Sequence, residues 1–170
     1  FANSHFSSNL DDLVAAYQFL EEKHEAPSLI IGHSLGGTAA LMAASQMEAI
    51  EAVATIGSPC SPEHILNLLD DDLQEIEAQG QARVKLAGRQ FTIGQRFVED
   101  VKNHKMEQAI ADLRGRSLLV LHAPHDEIVG IENARQIYES AHHPKSFISL
   151  DGANHLLTQK EDAAYVGEVI

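Results

Sequence analysis

One serine lies in a sequence context suited to nucleophilic attack on carbonyl groups. Residues 32–36 read Gly-His-Ser-Leu-Gly, which places Ser34 at the centre of a Gly-x-Ser-x-Gly motif. A serine that attacks a carbonyl must stand clear of its sheet on a strained turn, where the chain passes close to its neighbours. Ser34 is therefore the candidate nucleophile, and Gly32 and Gly36 are expected to permit the turn because they lack Cβ atoms.

A serine hydroxyl needs a base to become a good nucleophile, and the base needs an acid that orients it. His155 is the candidate base, because its Asp-Gly-Ala-Asn-His segment directly follows an apolar strand pattern. Asp126 is the candidate acid, since it lies in a Pro-His-Asp turn just after another such strand. Glu127 and Asp151 lie close by in the sequence and are the alternatives for the acid.

Short apolar runs predict the strands that position these residues. One run ends just before each candidate, at residues 29–31, 117–122 and 146–150. The uninterrupted run at 29–31 favours a strand that is buried on both faces. The alanine-rich residues 38–44 favour a helix directly after the serine turn.

These motifs resemble those of the α/β-hydrolase family, in which the nucleophile, acid and base follow one another in the chain order found here. The likeness runs over essentially the whole chain and is carried by residues 32–37, 122–134, 142–150 and 162–170. More narrowly, the sequence resembles the hydrolase half of bacterial proteins that fuse this fold to an OsmC-like peroxidase domain. The resemblance implies an α/β fold with a mostly parallel sheet and flanking helices.

The resemblance also implies roles for particular residues. It gives Ser34, Asp126 and His155 the nucleophile, acid and base positions of a catalytic triad. The backbone N–H of Leu35 takes one position of the oxyanion hole, and the second donor is expected upstream of this sequence. One departure concerns Asn154, because the group usually has an acidic residue before the base.

The length of the chain predicts that the fold is partial. The chain has 170 residues, whereas the family's eight-stranded sheet needs roughly 200 or more. Residues 9–23 show helical spacing behind the capping pattern Ser8-x-x-Asp11 and fit the helix just before the serine strand. The missing part is therefore expected at the N-terminal side. On this expectation the segment by itself would be poorly soluble and nearly inactive.

The middle of the chain differs from its two ends. Residues 60–116 follow a strand pattern at 52–56 and contain no further run typical of a buried strand. They are predicted to form a cap insertion, and the core of the hydrolase domain is expected at 1–59 and 117–170. Such a cap either contacts substrate or only decorates the fold, and the sequence leaves both open.

Within the predicted cap, apolar spacing indicates structure over three successive stretches. Residues 62–79 read as one helix that ends at Gly80. Residues 84–93 alternate about Ala-Gly-Arg at 87–89, which indicates a hairpin. Residues 95–113 read as one or two further helices.

Composition excludes several classes of protein. Hydrophobic residues make up 44% and charged residues 22% of the chain, which is typical of a folded globular protein and not of a disordered one. The net charge of −13 disfavours nucleic acid as a partner, and no apolar run approaches the roughly 20 residues that cross a membrane. The single Cys60 excludes an internal disulfide and suits the reducing cytoplasm, and it is expected to be a packed residue and not a nucleophile.

Cofactor and metal motifs are weak. His122, His125 and Asp126 carry atoms that bind zinc, as do the histidines at 142–143, but neither set has the spacing of a helical zinc site. The glycines at 36–37 lack the Lys-Ser or Lys-Thr that follows a phosphate loop. We therefore expect neither a metal nor an organic cofactor.

Together these features predict an esterase-like serine hydrolase that acts on a small-molecule acyl substrate. The expected reaction cleaves an ester, thioester or amide bond through an acyl-enzyme. Two alternatives remain: a catalytically idle interaction module, and the hydrolase half of an oxidative-stress fusion protein with an OsmC-like domain.

Overall fold

The computed structural model describes residues 5–86 and 89–170 and contains six strands in two sheets. In chain order the strands are β1 (Leu29–His33), β2 (Ala52–Ile56), β3 (Gln81–Leu86), β4 (Arg89–Gly94), β5 (Ser117–His122) and β6 (Lys145–Ser149).

Seven α-helices and two short 3-10 helices connect the strands. The α-helices are α1 (Phe6–Lys23), α2 (Leu35–Ala43), α3 (Asp70–Gln79), α4 (Gln95–Val101), α5 (Met106–Ala111), α6 (Glu132–Ser140) and α7 (Lys160–Val169). The 3-10 helices are Ala44–Gln46 and Pro62–Leu68. None of the helices in the described ranges is both long and apolar enough to cross a membrane.

The central sheet has four parallel strands in the order β1-β2-β5-β6. Its register pairs Ile31 with Ala54, Thr55 with Val120, and Leu121 with Ile148. Because the strands are parallel, their carboxyl ends meet at one edge, so the loops after β1, β5 and β6 lie side by side. The predicted α/β class, with a mostly parallel sheet and flanking helices, is confirmed.

Helices pack on both faces of this sheet. On one face, α1, α2 and α6 bury a large apolar cluster that includes Leu41, Val53 and Ile137. On the other face, α7 packs Val166 into a smaller cluster with Leu121. Burial of each large side chain stabilises the fold by about 1.5–3 kcal/mol, so these two layers hold the strand ends in fixed positions.

The prediction that β1 is buried on both faces is wrong. Leu29 is 38% exposed and Ile31 is 50% exposed, whereas Ile30 between them packs against the large cluster. Side chains alternate between the two faces of a strand, and Leu29 and Ile31 lie on the face opposite Ile30, where the cluster of α7 includes neither of them.

Residues 60–116 divide between two apolar clusters, because Met106, Ile110 and Leu113 belong to the large cluster on the sheet while other residues of the segment form a second cluster. The hairpin of β3 and β4 is antiparallel and pairs Val84 with Phe91, and its turn at 87–88 lies outside the described residues. Eleven buried side chains form the second cluster, and nine of them come from this segment: Leu66, Leu69, Ile76, Ala82, Val84, Ile93, Phe97, Val98 and Val101. The other two, Phe6 and Ala39, come from α1 and α2, so the segment rests on both helices.

The helix predicted over residues 62–79 is divided in two. A 3-10 helix starts at Pro62, where Ser61 accepts a hydrogen bond from Glu63 N at 3.2 Å, and α3 follows it. The two are separated at Leu69, which is fully buried and has a backbone conformation outside the helical region. The predicted stop at Gly80 is found, since Gly80 takes a left-handed φ of 78°.

The first helix starts earlier than its predicted boundary at residue 9. The structure places the start of α1 at Phe6, and His5 is the residue that caps it. His5 Nδ1 accepts a hydrogen bond from Ser8 N at 3.0 Å, and Ser8 Oγ accepts one from His5 N at 3.1 Å. Ser8 therefore belongs to the first turn and does not cap the helix with Asp11. The sequence pattern missed this because histidine is not among the preferred caps.

A carboxylate from α4 also holds the start of α1. Asp100 accepts hydrogen bonds from Ser7 N at 2.7 Å and from Ser7 Oγ at 2.5 Å. A negative charge is favourable at a helix N-terminus, where the backbone N–H groups lack acceptors. This contact ties residues 60–116 to the core of the domain.

Candidate active site

Ser34 lies on a strained turn between β1 and α2. Its φ of 53° and ψ of −131° fall in a region that non-glycine residues rarely occupy. The turn is held by hydrogen bonds from Ser34 N to Ile56 O at 2.9 Å and from Gly37 N to Ser34 O at 2.9 Å. The side chain is therefore presented at the carboxyl edge of the sheet, as the sequence motif predicts.

Close approach at the turn requires two glycines, and one of them differs from the prediction. A Cβ added at Gly32 would lie under 3.0 Å from backbone atoms of Gly36 and Gly37. A Cβ at Gly37 would meet the side chain of Ser58 and the backbone of Gly32 at similarly short distances. A Cβ at Gly36 would meet nothing within 4 Å. The crowded pair is therefore Gly32 and Gly37, because Gly36 faces outward from the first turn of α2.

The structure brings His155 next to Ser34. His155 Nε2 is 3.0 Å from Ser34 Oγ, which is hydrogen-bond distance. The segment after β6 places this ring, and it contains Leu157 with a left-handed φ of 49°. The His155 side chain is only 6% exposed, so its contacts are largely shielded from water.

Asp126 lies on the other side of the same ring. Its Oδ2 is 2.8 Å from His155 Nδ1, and its Oδ1 accepts hydrogen bonds from Ile128 N and Val129 N at 2.9 Å each. Burial acts to raise the pKa of Asp126, but the hydrogen bonds from Val129, His155 and Ile128 outweigh it and lower the pKa below its ordinary value. The carboxylate is therefore held ionised and aimed at the imidazole.

The two alternatives for the acid lie elsewhere. Glu127 is exposed beside the turn. Asp151 is also exposed, and its carboxylate accepts a hydrogen bond from Ser149 Oγ at 2.6 Å. Of the three carboxylates, Asp126 is thus the one that contacts His155.

Leu35 occupies the first position of α2. The N–H groups of a helix's first turn have no acceptor within the helix and attract negative charge. The side chain of Leu35 packs against the apolar cluster of residues 60–116. The structure therefore places beside Ser34 a backbone N–H for which the described residues show no acceptor.

Gly57 is a residue of the site that sequence reasoning missed. It follows β2 with a φ of +53°, and a Cβ there would lie 3.3 Å from Asp126 Oδ2 and 3.4 Å from His155 Nδ1. Its backbone thus covers the hydrogen bond between acid and base. A glycine directly after a buried strand, followed by Ser-Pro, was the available signal.

The residues considered for metal binding do not form a metal site. His122 is fully buried, and its Nε2 is 2.8 Å from Val129 O, whereas His125 is exposed. Over residues 5–86 and 89–170, no three histidine, cysteine or acidic side chains converge as metal ligands would.

Cys60 is half-buried, and its Sγ lies 3.0 Å from Gln136 Oε1. Burial raises the pKa of its thiol, and the negative charge of Glu107 acts in the same direction. Thiolate is the reactive form of cysteine, so this environment makes Cys60 a weak nucleophile.

Comparison with known proteins places the chain among hydrolases. No protein-family model and no curated protein matches the sequence. Among solved structures, the esterase domain of a Rhodothermus marinus protein is 45% identical, with a TM-score of 0.80 over 99% of this chain and 69% of that one.

Two more distant structures share the fold. Mouse alpha/beta hydrolase domain-containing protein 10 is 22% identical, with a TM-score of 0.76 over 98% of this chain and 68% of that one. Est1E from Butyrivibrio proteoclasticus is 15% identical, with a TM-score of 0.77 over 99% of this chain and 72% of that one. By its identity and coverage with the Rhodothermus domain, this chain belongs to the α/β-hydrolase family and is an esterase-like hydrolase.

Proposed function

We propose that this protein is a serine hydrolase that cleaves ester, thioester or amide bonds through an acyl-enzyme on Ser34. One observation carries the proposal: His155 contacts Ser34 Oγ at 3.0 Å through Nε2 and Asp126 Oδ2 at 2.8 Å through Nδ1. A nucleophile within reach of a base that is itself oriented by a buried acid is the arrangement that activates serine.

In the proposed acylation step, Ser34 Oγ attacks the carbonyl carbon while His155 Nε2 accepts the hydroxyl proton. The carbonyl oxygen becomes an oxyanion, and the Leu35 N–H is proposed as one of its donors. Asp126 keeps the proton on Nδ1 and stabilises the imidazolium that forms. The tetrahedral intermediate then collapses, and the leaving alcohol, thiol or amine takes the proton from Nε2.

Deacylation repeats the sequence with water as the nucleophile. His155 Nε2 accepts a proton from water, whose oxygen attacks the acyl carbon. The second intermediate collapses and releases the carboxylic acid, while Nε2 returns the proton to Ser34 Oγ. Each proton that leaves a nucleophile therefore passes through His155 Nε2, so loss of His155 should slow both acylation and deacylation.

We also propose that residues 60–116 act as a cap that contacts substrate, with the core at 1–59 and 117–170. Two contacts support this. Leu35, whose N–H is the proposed oxyanion donor, packs its side chain into the cap cluster. His64 of the cap lies 3.2 Å from the carbonyl oxygen of Ile128, next to the acid. The cap therefore contacts both α2, which follows the nucleophile, and the turn that carries the acid.

The fused OsmC-like domain implied by the resemblance is proposed as a partner and not as part of this chemistry. Peroxidase chemistry needs reactive thiols, and this chain has only Cys60, whose pKa is raised by burial. An oxidative-stress role would thus depend on thiols outside the chain. Tryptic mapping of the protein isolated from its source tests this, because OsmC-like peptides either accompany these residues or do not.

Hydrolysis of short-chain p-nitrophenyl esters tests the proposed function. The wild-type protein should release p-nitrophenol, and where deacylation is slower than acylation the first turnover appears as a burst that approaches the enzyme concentration. Ser34→Ala should abolish both the burst and the turnover. Absence of hydrolysis across ester, thioester and anilide substrates, despite a cooperative melt, would instead support the idle interaction module.

A further inference from the structure

Three histidines outside the proposed triad make the same kind of contact with the loops that carry it. His33 Nε2 lies 2.7 Å from His155 O, and His122 Nε2 lies 2.8 Å from Val129 O. His64 Nε2 lies 3.2 Å from the carbonyl oxygen of Ile128. A carbonyl can only accept a hydrogen bond, so each of these ring nitrogens carries the hydrogen and donates it.

The contacts at 128 and 129 complete the turn that aims the acid. The N–H groups of Ile128 and Val129 both donate to Asp126 Oδ1. The carbonyls of the same two residues accept from His64 and His122. Both residues therefore have their N–H and their C=O groups hydrogen-bonded, which leaves the turn that carries Asp126 little freedom to move.

The contact of His33 joins the nucleophile to the base through the backbone. His33 directly precedes Ser34, and its ring lies beside that of His155, with centroids 5.0 Å apart. The strained turn at Ser34 and the left-handed Leu157 flank this contact in the chain. Strained backbone persists only where its surroundings hold it in place, and the His33 bond ties the two strained segments together.

His33 and His64 differ from His122 in what else they do for the fold. His122 is fully buried, so its loss would leave a cavity and unpaired groups inside the core. His33 is exposed and His64 is half-buried, so replacing them removes little packing. Their positions identify them as residues whose main contribution is the hydrogen bond itself.

We propose that His33 and His64 are positioning residues for the reaction, an inference that rests on the proposed function. His33 fixes the base loop against the nucleophile turn, and His64 fixes the acid turn against the cap. In this role each ring acts through its hydrogen bond to a backbone carbonyl and not on the substrate. Small displacements of reacting groups cost turnover more than substrate binding, because alignment decides the rate of the chemical step.

The test compares leucine and glutamine at each position, with p-nitrophenyl ester hydrolysis as the assay. Leucine removes the donor and keeps the bulk, whereas the glutamine amide nitrogen can donate from a place close to Nε2. His33→Leu and His64→Leu should each lower kcat by about 10- to 100-fold, with KM and the melting temperature close to wild type. His33→Gln and His64→Gln should recover most of the loss. His142→Leu, at an exposed histidine after α6, is the matched control and should behave as wild type.

Wild-type kcat in both leucine variants would overturn the inference, as would glutamine variants no better than leucine. If His33→Leu loses its cooperative melt, His33→Ala gives the same comparison without added bulk at an exposed site. Ser34→Ala is measured in parallel. Activity that survives in Ser34→Ala refutes the proposed function. Activity that is lost in Ser34→Ala but unchanged in both His33→Leu and His64→Leu refutes only the positioning role.

Discussion

Gly57 lies against Asp126 so closely that a Cβ on the glycine would be 3.3 Å from the carboxylate Oδ2. The same Cβ would be 3.4 Å from His155 Nδ1, so Gly57 borders the hydrogen bond between the proposed acid and base on one side. This contact predicts that Gly57→Ala disturbs both stability and turnover. An alanine in the left-handed backbone conformation lowers stability by about 1–2 kcal/mol. Displacement of Asp126 and His155 should lower kcat about tenfold or more.

Gly115→Ala separates these two effects. Gly115 also has a left-handed φ, of 84°, but a Cβ there would meet nothing within 4 Å. Urea unfolding should therefore show a similar loss of stability in both variants, while kcat falls only in Gly57→Ala. Equal turnover in the two variants would show that Gly57 has no influence on the acid and base.

The glycines after Ser34 should respond differently to the same substitution. Gly37→Ala forces a methyl group against Ser58 and Gly32, and overpacking of this kind costs about 1–3 kcal/mol. Gly36→Ala places the methyl in open space on a helix, where alanine is better than glycine by about 1 kcal/mol. Urea unfolding of both variants measures the difference. A destabilised Gly36→Ala would contradict the crowding described for this turn.

Asp126→Asn should lower kcat by about 10,000-fold, the loss typical when the orienting acid of a triad becomes an amide. The amide can no longer hold the imidazole in the required tautomer or stabilise its cation. Glu127→Gln and Asp151→Asn are the matched controls and should retain wild-type kcat, since the structure gives neither side chain a contact with His155. Loss of turnover in one control together with an active Asp126→Asn would move the acid to that residue.

Stability should fall in acid because of two carboxyl groups with lowered pKa values. Burial acts to raise the pKa of Asp100, but hydrogen bonds from Ser7 and the nearby His104 and His5 outweigh it and lower that pKa. The pKa of Asp126 is lowered in the same way by its own hydrogen bonds. A pKa lower in the folded than in the unfolded chain adds stability above the unfolded pKa, and this stability is lost as the pH falls through the folded pKa.

The free energy of unfolding, measured by urea titration, should therefore decline as pH is lowered below about 4. Ser7→Ala removes one of the hydrogen bonds to Asp100 and should make that decline less steep. Ser45→Ala, at an exposed serine whose hydroxyl faces Met42 O, is the control and should leave the slope unchanged. An identical slope in Ser7→Ala and wild type would show that Asp100 does not contribute.

The candidate site was predictable because its residues follow strands, and parallel strands bring their carboxyl ends together. Ser34, Asp126 and His155 each follow an apolar run, so their positions after predicted parallel strands were enough to place them at one edge. The start of α1 was harder to predict, since its cap is His5, a residue type seldom found there, and the further acceptor Asp100 lies 93 residues away in the sequence. A contact between residues so far apart in the sequence leaves no pattern among the residues at the start of the helix.

The positioning residues were missed for a related reason. His33 and His64 are distant in sequence from the carbonyls that they contact, and a backbone carbonyl is a group that any residue possesses. Gly57 was missed because its role depends on a close approach to Asp126 that only the folded chain creates. The exposure of Leu29 and Ile31 could not be read from their hydrophobicity, because burial depends on the neighbours that a strand has.

Labelling with a fluorophosphonate probe tests the central claim most directly, because such probes phosphonylate an activated serine far faster than other serines. Peptide mass spectrometry of the labelled protein should find the adduct on Ser34 alone. Ser34→Ala should lose the label, and His155→Ala should acquire it far more slowly, since Nε2 no longer accepts the hydroxyl proton. An adduct on another serine, or an unlabelled wild-type protein with a cooperative melt, would contradict the assignment of Ser34 as the nucleophile.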